Sequence, residues 1–219
     1  MESVGQRFDL LVQKSNLIDT VLDDDADVLI CNHSQHATDS LGDVVGSHLI
    51  RDPRDAIVSG YFYHLWTDES WAREPQSRFA GLSYQQHLKT LDQNAGLGAE
   101  IERFAEYVRD YGLLNWDYHD PRMLELKYED LIRNERVVFK KMFQHYGFTP
   151  RAVSISIHLA LQQSFKNVSQ RQLGEQVARS HLRSGEPGEW KSVFTREHCR
   201  QIHDRLGELI ERMGYESTL

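Results

Sequence analysis

The sequence predicts an α/β fold, a central parallel sheet flanked by helices, and three observations predict it. Short apolar runs that fit buried strands stand at Ala26–Cys31 and Val44–Ile50, and Met123–Lys127 alternates like a strand. Segments with apolar residues at helical spacing stand between and after them. Asp52-Pro53 follows one strand directly, an N-cap residue and then a proline suited to the first helical position. Strands interleaved with helices argue for layers built around a parallel sheet.

In chain order, Val4, Phe8 and Leu11 have helix-like spacing in a segment ended by the acidic run Asp23-Asp24-Asp25. The first two strands are joined by a polar connection rich in Ser, Asp and Gly. The helix opened by Asp52-Pro53 runs through Ala56, Ile57 and Tyr61 towards Trp66. Thr67 to Gly81 reads as a polar surface excursion, followed by helices around Ser83–Asp92 and Leu97–Tyr111. After the third strand, Leu131 to Tyr146 returns to helical spacing. Thr149-Pro150 opens a further helix, and Thr195 caps the last, which runs to Met213.

The chain has 219 residues, 40% hydrophobic and 26% charged, enough to bury one sizeable core; residues 1–219 read as a single domain. A formal charge of -8 argues against a general nucleic-acid binder, which carries a basic surface. It leaves room for a local cationic pocket. Cys31 and Cys199 do not make a disulfide framework, so a reducing, cytoplasmic setting is expected. No run is long or apolar enough to span a membrane, and the N-terminus has no signal-peptide pattern.

The most informative stretch is Gly46-Ser47-His48-Leu49-Ile50-Arg51-Asp52-Pro53-Arg54-Asp55-Ala56-Ile57-Val58-Ser59. An apolar strand delivers Arg51 at its C-terminal end, where open α/β sheets bind ligands. A helix begins at once, placing free N–H groups and a positive dipole end beside the guanidinium. Positions 52, 55/56 and 59 share a helical face, which turns Ser59 to that side. Guanidinium plus hydroxyl suits a phosphate. The competing reading is a salt bridge between Arg51 and an acidic neighbour, with Ser59 only packing.

This strand–Arg–helix unit resembles the sulfotransferase motif for the 3′-phosphate of 3′-phosphoadenosine 5′-phosphosulfate (PAPS), in which a serine follows the arginine by eight positions. Tyr61-Phe62-Tyr63-His64 is similar to the family's aromatic continuation. Leu126-Lys127-Tyr128-Glu129-Asp130-Leu131 resembles its YEDL segment, which implies that Tyr128 lines the adenine side. The string Arg183-Ser184-Gly185-Glu186-Pro187-Gly188-Glu189-Trp190-Lys191 resembles its glycine-rich loop, RKG..GDWK. Gly185 and Gly188 allow close backbone approach to an anion, and Arg183 supplies charge. The resemblance implies that Arg183, Ser184 and Gly185 also meet the 3′-phosphate, although Ser184 stands where the family has lysine. Gln163-Ser164-Phe165-Lys166 is a weaker match to an adenine-side segment. The absence of a Walker-type string counts against a nucleotide kinase.

The resemblance implies a P-loop-containing nucleoside triphosphate hydrolase-like (sulfotransferase) fold, N-terminally incomplete and short of its first strand. It also implies an enzyme that moves a sulfuryl group from PAPS, as co-substrate and with no metal, to a hydroxyl or amine on a small-molecule or glycan acceptor. Family members carry an N-terminal phosphosulfate loop with a leaving-group lysine. The nearest echo here is Val12-Gln13-Lys14-Ser15-Asn16, which lacks the glycine, and Lys14 reads rather as a solvated helix residue. A family base is expected just past a strand, where His33 stands, with His36 as rival. Cys31, His33 and His36 as a metal site lack a fourth ligand. His48 reads as a satisfied strand histidine, Trp66, Trp71 and Trp116 as packing residues, and Glu100–Glu106 as a solvated helix face. Lys191 and Thr195 fit the family's dimer segment, but Arg196 and Arg200 depart from it. The rival reading is a non-catalytic module that binds 3′,5′-ADP or serves only as a scaffold.

Overall fold

A computed structural model describes residues 1–15, 25–32, 34, 43–164, 167–168 and 185–217. Helix α1 (Glu2–Phe8) precedes strands β1 (Val12–Ser15), β2 (Val28–Cys31) and β3 (Gly46–Ile50). Then come helices α2 (Pro53–His64), α3 (Ser70–Arg73), α4 (Tyr84–Thr90) and α5 (Gln93–Asp110), with a 3-10 turn at Ser77–Phe79. Strand β4 (Met123–Lys127) leads into α6 (Tyr128–Arg133), α7 (Glu135–His145) and α8 (Pro150–Gln162). The last elements are α9 (Trp190–Val193) and α10 (Arg196–Arg212).

Two compact units result, Met1–Ile50 with Val108–Gln170, and Arg51–Tyr107 with Arg171–Leu219. All four strands belong to the first. β1 pairs with β2 in parallel, Val12 opposite Val28 and Ser15 opposite Cys31. β3 pairs with β4 in parallel, Gly46 opposite Met123 and Ile50 opposite Lys127. Parallel strands need crossover connections, and helices supply them between β3 and β4. The architecture is thus α/β with parallel sheets flanked by helices, as the sequence predicts, here as two strand pairs. The core of this unit gathers Val4 of α1, Phe143 of α7 and Val153 and Ile157 of α8, with Phe8 and Phe148 packed against them.

The second unit is helical. Tyr61, Tyr84, Leu88 and Leu97 form one buried cluster. α10 turns Ile202, Leu206, Leu209 and Ile210 inward, an i, i+4, i+7, i+8 stripe. It is tied to α5 by Gln201 Nε2, which donates to Gly98 O at 3.1 Å, and by His198 Nε2, 2.9 Å from Asn94 O at the start of that helix. Among the described residues, no helix is long and apolar enough to cross a membrane.

Local chemistry accounts for the helix starts. Asp52 Oδ1 accepts from Arg54 N at 3.0 Å, with Pro53 at the first position of α2. Ser83 and Gln86 form a capping box on α4, and Thr195 with His198 forms another on α10. Four expectations are corrected. The N-terminal helix stops at Phe8, where Asp9 turns left-handed (φ 56), and Val12–Ser15 is a strand because it has β2 to pair with. Lys14 therefore stands on a strand, not a helix. Asp92 caps α5, its Oδ1 accepting from Ala95 N at 2.8 Å, so that helix begins before Leu97. The single helix expected over Leu131–Tyr146 breaks at Asn134, whose side chain caps α7. The excursion from Thr67 to Gly81 is not wholly superficial, since Thr67 and Ala72 are fully buried.

Candidate nucleotide site

The strand β3 ends at Ile50, Arg51 follows, and α2 begins two residues later. Asp52, the residue after Arg51 in the chain, is engaged by Arg54. Arg54 Nε and one terminal nitrogen donate to its two oxygens at 2.8 and 2.7 Å, both side chains being buried. The remaining Arg54 nitrogen donates to Glu216 O at 3.0 Å, and its guanidinium lies 4.1 Å from the Trp190 ring centroid. Arg54 thus ties the start of α2 to the segment around residue 190 and to the C-terminal segment.

Asp55 makes the second tie. Gly188 N donates to Asp55 Oδ2 at 2.5 Å, and Trp190 N donates to Oδ1 at 3.0 Å. Burial pushes the Asp55 carboxyl above the usual carboxylate range, while these two amides and the Arg51 charge pull against that shift. Gly185 and Gly188 have φ of 69° and 85°, values that glycine adopts without strain. The loop is therefore turned by glycines and fastened by backbone donors, leaving no bulky side chain at either turn.

The second unit brings together Arg51, Asp55 and the Gly185–Trp190 loop. Ser59 is half-buried, one turn beyond Asp55 on the same face of α2. Tyr128 belongs to the first unit, half-buried as the first residue of α6 directly after β4. His33, His36, Arg183, Ser184, Phe165 and Lys166 lie outside the described residues. Ser34, beside His33, is described. Its amide donates to Tyr111 O at 3.0 Å, and its Oγ lies 2.9 Å from His48 Nε2. His48 Nδ1 is 2.9 Å from Glu125 Oε2, and its ring lies 4.2 Å from that of Trp116. Both ring nitrogens of His48 are thus partnered, as expected of a satisfied strand histidine.

Lys14 is exposed and its ammonium is ion-paired with Glu2. A depression of about 580 Å³ beside it is lined by Glu2, Gly5, Gln6, Asp9, Leu10, Val12 and Lys14, none of them a residue expected to bind nucleotide. Cys31 and Cys199 are free thiols. Among the described residues, no group of three or more His, Cys, Asp or Glu is arranged to hold a metal.

Sequence reasoning missed Arg54 and Asp55, and it misjudged Glu100. Asp55 had a legible signal: it stands four residues after Arg51 and four before Ser59. Glu100 was expected on a solvated face but is fully buried. His64 Nδ1 lies 2.9 Å from Glu100 Oε2, Tyr84 donates to that oxygen at 2.7 Å, and Arg103 Nε donates to Oε1 at 2.8 Å. Trp71 also packs here, its ring 5.9 Å from that of Tyr84.

A family model of the sulfotransferase domain matches residues 48–214, from within β3 to beyond α10. A 3-beta-hydroxysteroid sulfotransferase of Cavia porcellus is 28% identical over 158 residues, covering 68% of this chain and 50% of its own. Sulfotransferase 2A1 of Mus musculus is 29% identical over 157 residues with the same coverage. The chain spans about half the length of these relatives. Among solved structures, a mouse sulfotransferase complexed with PAP has a TM-score of 0.58 at 16% identity, covering 96% of this chain and 79% of that one, a likeness of fold. With the family's domain matched over most of its length, the chain belongs to the sulfotransferase family.

Proposed function

We propose that this chain binds the 3′-phosphoadenosine nucleotide of the family, and that its activity is transfer of a sulfuryl group from PAPS to a hydroxyl or amine of a small acceptor. The observation that carries this reading is that Asp55, which lies between Arg51 and Ser59 in the chain, accepts the Gly188 and Trp190 amides of the glycine-rich loop. Residues 1–219 are read as one domain, a reading that the family match over residues 48–214 supports. Arg51 donates two parallel hydrogen bonds to the 3′-phosphate, Ser59 adds a hydroxyl, and Arg183, Ser184 and Gly185 close over it. Tyr128 lines the adenine.

His33 accepts the proton from the acceptor oxygen or nitrogen as that atom attacks sulfur in line. The bond from sulfur to the bridging oxygen of the 5′-phosphate breaks, and adenosine 3′,5′-bisphosphate (PAP, or 3′,5′-ADP) leaves. The mouse structure was solved with PAP, which supports the choice of ligand. The cytoplasm is the setting proposed, in keeping with two free thiols.

The second reading, a non-catalytic module that binds 3′,5′-ADP, is favoured by one observation: Lys14, the nearest candidate for a leaving-group cation, is ion-paired with Glu2. Calorimetric titration with PAP, with 5′-AMP as control, tests the nucleotide site common to both. Arg51→Ala should weaken PAP by roughly 10- to 100-fold, the worth of hydrogen bonds from a charged group, and leave 5′-AMP unchanged. Equal affinity of the wild type for PAP and 5′-AMP would remove the 3′-phosphate site. A sulfation assay on wild type and His33→Ala then separates enzyme from module.

A further inference from the structure

Gly188 and Trp190 each place one backbone amide on Asp55, one per carboxylate oxygen, although they lie 133 and 135 positions further along the chain. Asp55 is 1% exposed, so little water competes for its carboxylate. An ionised carboxylate is acceptor-only and can take both amides at once. Arg54 fixes the far side of the same loop through the Trp190 ring, 4.1 Å away, while Asp52 holds Arg54 in turn.

We propose that Asp55 is a positioning residue that sets the glycine-rich loop for the 3′-phosphate without touching it. This rests on the reading of Arg51, Ser59 and Gly185 as the phosphate contacts. Ser59 is carried by α2 and Arg51 lies directly after β3, but the loop turns on two glycines at positive φ and has no strand or helix between Gly185 and Trp190 to hold it. Its donors face a phosphate at little entropic cost only if something else orders them first. Asp55, one turn from both Arg51 and Ser59, orders the loop relative to those two groups. It acts on 3′-phosphate selectivity and leaves the rest of the nucleotide alone.

The test is Asp55→Asn, which keeps the size but offers one acceptor and turns an N–H₂ towards the second amide. Hydrogen exchange is measured at the amides of 188 and 190, and PAP and 5′-AMP are titrated on wild type and variant. The expected result is faster exchange at both amides and PAP weakened about tenfold or more, the loss of one charge-assisted hydrogen bond, with 5′-AMP unchanged. PAP affinity equal to wild type overturns the proposal, whether or not exchange changes. If Asp55→Asn does not fold, wild type alone decides: PAP must slow exchange at 188 and 190 more than 5′-AMP does, and equal protection overturns the proposal. Wild type that does not bind PAP sinks the nucleotide reading as well, whereas binding without this coupling sinks the role of Asp55 alone.

Discussion

Two histidine–glutamate pairs of equal length, one in each unit, show how far environment outweighs distance. His48 Nδ1 to Glu125 Oε2 and His64 Nδ1 to Glu100 Oε2 are both 2.9 Å. The first spans facing positions of β3 and β4, with side chains 12% and 22% exposed. Water can still reach it, and Trp116 Nε1 shares the carboxylate at 2.7 Å. The second is sealed, with side chains 6% and 0% exposed. Burial pushes the Glu100 carboxyl upward, but the His64 hydrogen bond, the Arg103 charge and the Tyr84 hydroxyl outweigh it and hold the group below its usual range. The same network, burial first, pushes the Tyr84 hydroxyl far up. A charge–hydrogen-bond contact counts for more as solvent is excluded, and so does the cost of leaving one partner alone.

The sharpest way to break the comparison is to neutralise each glutamate. Glu100→Gln should cost about 3–5 kcal/mol, because it leaves Arg103 facing a buried neutral amide. Glu125→Gln should cost only about 1 kcal/mol, the ordinary net worth of a hydrogen bond open to water. Urea denaturation measures both, and equal losses would show that burial does not separate the pairs.

Acid sharpens the same contrast. Glu100 titrates below its unfolded value of about 4.3, so its stabilisation is fully present at neutral pH. It is lost as pH falls below that value and through the depressed folded pKa. Wild type and Glu100→Gln should therefore converge in stability on acidification, and a constant difference would show that the carboxyl is not depressed.

A smaller effect is expected from Gly60→Ala. A Cβ there would lie 2.8 Å from Glu100 Oε1 and 3.4 Å from His64 Cε1. Overpacking costs about 1–3 kcal/mol, against which better helix propensity returns about 1 kcal/mol. A modest fall in thermal midpoint is the expected outcome. A rise would mean that the network yields to the methyl group.

Much of the fold was legible because it rests on local chemistry. Asp52-Pro53, Ser83 with Gln86, Thr149-Pro150 and Thr195 each mark a helix start within four residues of sequence. The phosphate-site candidates were legible for a similar reason: Arg51 and Ser59 sit at a fixed spacing on one strand–helix unit. Lys14 was not legible because its state depends on a partner strand 16 positions away, while the helical spacing of Val4, Phe8 and Leu11 continues up to it. Glu100 was misplaced because charge patterning takes a helix face as solvated unless neighbours cover it. Its cover comes from α2 and α4, which the sequence of α5 does not record.

Local sequence was enough for the α/β class, the helix starts at Asp52, Thr149 and Thr195, the order of the strand–Arg–helix, YEDL and glycine-rich segments, and through them the family. Short-range rules of capping, periodicity and spacing carry that information, because each involves residues that are neighbours in the chain. Packing in three dimensions set the rest: Arg54 pairs with Asp52 and Trp190, Asp55 holds the glycine-rich loop, and Glu100 is a buried hub and not a surface charge. Those outcomes depend on which donors meet a carboxylate once water is removed. The donors to Asp55 arrive from 133 and 135 positions away and those to Glu100 partly from other helices, so neither pairing shows in the local pattern.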